Sequence, residues 1–499
     1  MTAPTCFSMP RAMLSLVAVM DREGRTSLSR TGSGGRPSFM PVRRALSQPR
    51  EAGRSNEQTL FRTTVLRPRR CGSTSSEQWA TAVTGKNRSV TCSRLSGELL
   101  EKSADFLRDH GVQGTTLRSL ADASGHPAAT IRYQFGSKDR LLNCTFGCLG
   151  DRHVRRLNSY ARSFQETCGG YADLADAVLA MLGLGSVEDR LEQVAICEFM
   201  ALVLREPRHI AEAELWATSV SDHWQGVARD SRHSPAMGVF LFELHLGLML
   251  HMSGIDQGPE AQVLSREIVE RALRPPERRT PPLWFRSILR GTLAKPPLAL
   301  DLDMPVTATA QSILEGAMRM AIEQGPGALS FRTVAANANT SASAVSHYFS
   351  TRQHLIYATY RTIHREIIAF TQSLGVAEGE SYDSELAERI VTFTGKSSVS
   401  LLIAYSELEL VAARDPNFSG LARHFRMTRG LYHTRKRDPA FDPVGDDAFD
   451  AFALSFWMVG HALRMALQRT AQGDDFDAEA VAYGFRQFGL TPSRMTGMG

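Results

Sequence analysis

The chain has 499 residues, 43% apolar and 22% charged, which excludes collagen-like, disulfide-miniprotein and wholly disordered classes and leaves room for two or three domains. Its net charge of +5 averages two unlike parts: residues 1–92 carry 15 Lys+Arg against 5 Asp+Glu, the remainder 42 against 47. Whole-chain charge is therefore no argument for nucleic-acid binding, and any basic surface on the larger part has to be local.

Residues 21–92 are rich in Arg, Ser, Gly and Thr without an apolar period, so 1–92 is expected to be a basic, disordered extension. It reads as residues upstream of the true start, as a passive tail, or as an arm adding nonspecific DNA affinity. The longest apolar stretches, Ala12–Met20 and Val239–Leu250, fall short of the roughly 20 residues of a bilayer span, so no membrane partner is expected. Seven cysteines, an odd number and none beyond Cys197, do not form a disulfide framework and point to a reducing, cytoplasmic setting. Cys144 and Cys148 share a helix face by spacing but have no companion ligand pair, and neither metal nor cofactor is expected.

From Leu95 onward apolar residues recur every three and four positions with no sustained alternation, which predicts an all-α chain. Sliding the sequence by 214 positions lays Gly111–Leu142 over Gly325–Ile356 without a gap. Gly111/Gly325, Arg118/Arg332, Ala121/Ala335, Ala128/Ala342, Phe135/Phe349 and Leu141/Leu355 coincide. Each pair has a structural task. The glycines stop a first helix whose buried face is Leu99, Ser103, Phe106 and Leu107, or Ile313, Ala317, Met320 and Ala321. Thr116 and Ser330 are N-caps of a short second helix. Gly125 and Asn339 suit the left-handed corner of a helix-turn-helix, and Pro127 stands near the first turn of the third helix.

A first helix ending in glycine, then Thr-Leu-x-x-Leu-Ala-x-x-Ser-Gly, then Tyr-x-Phe-Gly-Ser-Lys-x-x-Leu-Leu resembles the DNA-binding domain of TetR-type transcriptional regulators. The second copy, with Ser346-His-Tyr-Phe-Ser-Thr-Arg352, resembles it too. Later segments also repeat: Glu198–Pro207 lies over Glu407–Pro416 at an offset of 209, and the apolar helix around Phe240–Met249 over Phe452–His461 at 212. The last helix of each half is expected at Pro259–Leu273 and Phe476–Phe488. The resulting layout is a helix-turn-helix domain over 93–142, a helical effector or dimerisation domain over 143–273, and a linker over 274–305 with a short helix at Leu283–Leu289. A second helix-turn-helix domain over 306–356 and a second helical domain over 357–490 follow.

The resemblance implies a third helix in the major groove of a double-stranded operator. Pro127, Ala128 and Arg132, and Ser341, Ala342 and Ser346, would then face base edges, with Arg132 able to bond guanine through two donors. Thr116, Tyr133 and Lys138, with Ser330, His347 and Arg352, would meet phosphates; Tyr133 reads equally as packing on the first helix. The resemblance also implies a repressor answering to a small apolar effector, and pairing through the last two helices of each half, either within one chain as a pseudo-dimer on an asymmetric operator or as a homodimer. Phe199, Trp216, Trp224, His245, Tyr405 and Trp457 have the character of an effector pocket and equally of bundle core. A second reading leaves one working DNA-binding head, with the second half a scaffold. Nucleophile-elbow, zincin, Walker and Rossmann patterns are missing from the sequence, so no enzymatic activity is expected.

Overall fold

The computed structural model describes residues 94–183, 187–252, 259–295, 307–373, 396–431, 442, 444–472 and 478–488. The basic extension and the last ten residues of the linker, 296–305, lie outside these residues. The described residues form eighteen α-helices and no strand, as the periodicity predicts.

The first three helices are α1 (Arg94–Gly114), α2 (Leu117–Ser124) and α3 (Ala128–Phe135). Gly111, at φ +72°, breaks the regular course of α1, and no side chain takes that conformation without strain. Thr116 and Ser119 cap α2 reciprocally: the Thr116 hydroxyl accepts from Ser119 N–H at 3.0 Å while Ser119 Oγ accepts from Thr116 N–H at 2.9 Å. Gly125 turns the chain at φ +69°. Pro127 is the N-cap of α3 rather than part of its first turn. Leu99, Leu120, Ala121, Ile131, Phe135 and Leu141 close a small core of their own beneath these helices.

The body of this half is α4 (Lys138–Cys168), α5 (Leu174–Met181), α6 (Val187–Arg205), α7 (Ile210–Asp230), α8 (Pro235–Met252) and α9 (Glu260–Leu273). Next comes α10 (Leu283–Ala294), five residues longer than the expected linker helix. The Glu267 carboxylate accepts from Trp284 N–H at 2.7 Å and Phe285 N–H at 2.8 Å, satisfying two donors that Pro282 leaves open at the α10 start.

The second half runs α11 (Ala308–Gln324), α12 (Phe331–Asn337), α13 (Ala342–Tyr348), α14 (Arg352–Ser373), α15 (Lys396–Arg414), α16 (Ser419–Met427), α17 (Asp446–Gln472) and α18 (Ala478–Gln487). Gly325 has φ +82°, Ser330 and Thr333 form a second capping box, and Asn339 takes the left-handed turn at φ +51°. Here the head and its body share one core, from Ile313 and Val334 through Phe349 and Tyr360 to Phe425.

The two halves meet at α8 and α9 packed on α17 and α18. Helix α8 is apolar on every side, as a fully enclosed helix has to be, and 83% of it is buried in protein although its length and composition would suit a membrane. Two glycines set its crossing with α17. A Cβ on Gly247 would stand 1.9 Å from Phe456 O, and one on Gly460 would stand 1.7 Å from Glu243 O, so the backbones touch where side chains are missing. These contacts are reciprocal at an offset of 213, which replaces the expected 212 for this helix pair. A run of apolar residues fits several registers, and only the glycine contact distinguishes them.

Candidate nucleic-acid interface

The two head surfaces carry their charge on short elements fixed by backbone caps. In the first head Pro127, Ala128, Arg132, Tyr133 and Lys138 are all exposed, and Thr116 is half-buried as the α2 cap. Tyr133 is 87% exposed, which separates its two readings: the ring does not pack on α1. The side chains of Arg132, Tyr133 and Lys138 form no hydrogen bond with another described residue and are exposed to solvent. Gly136, at φ +73°, ends α3 with its N–H bonded to Arg132 O at 2.8 Å, and Ser137 then caps the long helix that begins at Lys138. Lys138 thus sits at a helix start beside exposed Arg140, where backbone N–H groups add to the field an anion meets.

In the second head Ser341, Ala342, Ser346, His347 and Arg352 are exposed and Ser330 is half-buried. Several of their polar groups are already engaged. Ser341 Oγ caps α13 by accepting from Ala344 N–H at 3.1 Å, and Ser346 Oγ donates to Ser343 O at 2.9 Å. Arg352 folds back so that Nε donates to Leu329 O at 2.7 Å and one terminal nitrogen to Pro326 O at 3.4 Å. Its charge therefore lies close to the head while that of Lys138 extends freely. Exposed Arg118 and Arg332 occupy matching places on α2 and α12. The acidic larger part of the chain thus does present local basic surfaces.

The six aromatic and histidine positions with pocket character are all packed in core. Phe199 stacks on Phe146 with centroids 3.9 Å apart, and Trp216 donates to His153 Nδ1 at 3.3 Å. Trp224 donates to His245 Nδ1 at 2.8 Å, Tyr405 to Phe425 O at 3.2 Å, and Trp457 to Glu243 Oε2 at 2.6 Å. A cleft of about 610 Å³ between Tyr160, Leu179, Asp189 and Gln262 includes none of the six. His153 and His245 lie 5.3 Å apart, and the His223 ring lies 5.0 Å from Trp224. Burial pushes all three imidazoles down, His223 to about 4 and His245 to about 3, so this cluster is neutral.

Two groups of polar residues escaped the sequence reading. Glu243, fully buried on α8, accepts from Trp457 Nε1, from His461 Nδ1 at 2.7 Å and from Arg464 Nε at 2.7 Å, all on α17. Glu198, Arg205, Glu407 and Arg414 form two ion pairs that cross between the halves. The second group had a visible signal: the 209 offset places a Glu over a Glu and an Arg over an Arg, seven residues apart in both copies. Glu243 had none, because the partner of a lone buried carboxylate more than two hundred residues away leaves no local pattern.

Residues 313–359 match the family profile described as bacterial regulatory proteins, tetR family. That span runs from α11 through the helix-turn-helix into α14. The profile match falls on the second head, although the first carries the fuller Thr-Leu-x-x-Leu-Ala and Tyr-x-Phe-Gly-Ser-Lys motif. No curated protein matches the chain. The chain thus carries the DNA-binding domain of a transcriptional regulator.

Proposed function

We propose that this chain is a sequence-specific transcriptional repressor that pairs its two halves within one molecule and reads an asymmetric operator with two unlike recognition helices, α3 and α13. The observation that carries this reading is the reciprocal contact of Gly247 with Phe456 and of Gly460 with Glu243 in the bundle of α8, α9, α17 and α18. Isologous contacts of that kind join the subunits of two-fold dimers. Covalent linkage gives the second half an effective concentration of roughly millimolar, enough to hold the pair in a single chain. The recognition helices differ, Ala-Ala-Thr-Ile-Arg-Tyr against Ala-Ser-Ala-Val-Ser-His, so at most one of them would match its half of a symmetric site.

Response to a small apolar effector belongs to the same proposal. Among the described residues the Nε2 atoms of His223 and His245 are buried without a hydrogen-bond partner, which supports the first-half cluster as the region that would receive a polar group of an otherwise apolar effector. An effector there would act by favouring a head spacing that the groove does not accept.

The test is a salt titration on the duplex that the full chain selects from a random pool. Lys138→Ala and Arg352→Ala should each lower the slope of log K against log salt by about 0.9 if each head neutralises one phosphate. A loss with Lys138→Ala alone would leave the second half a scaffold; no selected duplex at all would remove the reading.

A further inference from the structure

Each head meets its own body at the C-terminal end of its first helix, and in both halves an arginine from the other half fills that joint. Arg205, the last residue of α6, leaves the first half and enters the second. Its Nη1 donates to Glu407 Oε1 at 2.6 Å and its Nη2 to Glu407 Oε2. The same guanidinium bonds the last turn of α11, Nε to Ile322 O at 2.9 Å and Nη2 to Ala321 O at 3.2 Å. Arg414, the last residue of α15, does the reverse. It pairs with Glu198 through Nε and through Nη2 at 3.2 Å, while Nη1 donates to Arg108 O at 3.0 Å and Asp109 O at 3.1 Å near the end of α1.

The joint is built around the arginines on both sides. Gly111 and Gly325 leave the space: a Cβ on Gly111 would stand 2.4 Å from Glu198 Oε2 and 2.7 Å from Arg414 Nε, and one on Gly325 would stand 3.1 Å from Arg205 Nη1. Glu198 also accepts from Val112 N–H at 3.0 Å. The matching position is Pro326, which has no N–H, so Glu407 lacks that bond and depends more heavily on Arg205. A guanidinium at a helix C-terminus satisfies open carbonyls and complements the helix dipole, and its fork fixes the carboxylate as well. The four side chains are only 10–20% exposed, so the pairs are poorly screened.

We infer that Arg205 and Arg414 are positioning residues for DNA binding: each locks the opposite head onto its body, so that the angle and separation of the two heads are set by the pairing of the halves. This rests on the proposed function for its consequence on DNA but not for its geometry. Without the arginines each head loses its tie to the opposite half and keeps only the contacts with its own body, among them the Arg152 pairs with Glu101 and Asp105 in the first half and the shared core in the second, so its angle varies more widely.

The test reads geometry first and DNA second, on the full chain. Spin labels are placed through unnatural residues at exposed Asp122 and Ala336, which hold matching places on α2 and α12, and the inter-head distance distribution is measured without DNA. The wild-type protein should give one narrow distribution, and Arg205→Ala/Arg414→Ala should broaden it about twofold, as expected when a joint becomes a hinge. An unchanged width in the double variant overturns the inference. Should that variant fail to fold, Glu198→Gln/Glu407→Gln keeps the shapes and carbonyl caps and removes the charge; it should broaden the distribution less, and no broadening again counts against the clamp. On the selected duplex and on versions lengthened or shortened by one base pair, wild-type binding should favour one spacing and the arginine double variant should lose roughly tenfold of that preference. Broadened heads together with a wild-type protein that selects no duplex would sink the proposed function and leave the clamp standing.

Discussion

Replacing Glu243 with alanine should lower the stability of the folded chain by about 3–5 kcal/mol, the cost of breaking a buried ion pair and leaving its partner unmatched. The carboxylate is inaccessible to solvent and accepts three hydrogen bonds from α17, so its removal takes the acceptor from Arg464 Nε, the His461 N–H and the Trp457 N–H at once. Burial alone would push the Glu243 carboxyl up, but His461 and Arg464 outweigh it and hold the group below the usual range, so it is ionised at neutral pH. Urea unfolding followed by tryptophan fluorescence measures the effect. Glu243→Gln keeps an acceptor and should cost clearly less; a Glu243→Ala midpoint within about 1 kcal/mol of wild type would show that the bond network carries no weight. The network exists in one sense only, Glu on α8 and Arg and His on α17. Two first halves paired with each other would bury two carboxylates without an arginine, which favours pairing of unlike halves.

Acidification from pH 7 to pH 5 should remove about 4 kcal/mol through His223 and His245 alone, a large part of the 5–15 kcal/mol that holds a typical domain together. Four buried histidines, His153, His223, His245 and His251, are held below their ordinary value, chiefly by burial. Nearby charges add to this: Arg156 acts on His153 and His245, and Arg426 and Arg429 on His251. A group depressed in the folded state contributes stability above its unfolded pKa and loses it as pH falls toward the folded value. The window therefore opens near pH 6.5 and runs down to about 4 for His223 and about 3 for His245. At pH 5, which lies 1.5 below the unfolded value and above both folded values, protonation of the unfolded chain contributes about 2 kcal/mol each for His223 and His245, and His153 and His251 act in the same direction. The carboxylate Glu243, also depressed, adds its loss only below about pH 4.3, so the two causes separate on the pH axis. Denaturation midpoints across pH 4–8 check this, and His223→Gln/His245→Gln should flatten the upper part of the curve. A midpoint constant from pH 7 to 5 would mean that the imidazoles are solvated after all.

What the sequence disclosed follows from the range of the interaction involved. The capping boxes at Thr116 and Ser330 and the left-handed turns at Gly125 and Asn339 are decided within four residues, and the structure has each where the pattern places it. The all-helical class is equally legible, since an apolar period of three and four extends over whole helices. Pocket character was not. Trp224 and His245 lie 21 residues apart and Trp457 and Glu243 lie 214 apart, and helical spacing alone does not tell a ring that lines a cavity from one that fills a core. The repeat offset of 212 between α8 and α17 differs by one residue from the 213 of the glycine contacts for a related reason, since apolar side chains are interchangeable and only the missing side chains of Gly247 and Gly460 fix the crossing. The clamp arginines are the instructive case, because their identities repeat in the sequence while their exchange between halves exists only in three dimensions.

The most direct test of the account is the stoichiometry of the complex with the selected duplex, measured by light scattering or native mass spectrometry. One 55.0 kDa chain per duplex is expected, protecting two different half-sites whose centres lie about one helical turn, roughly 34–36 Å, apart. Two chains per duplex on a palindromic site would contradict it, because each chain would then use one head and the pairing of unlike halves would have no part in reading DNA.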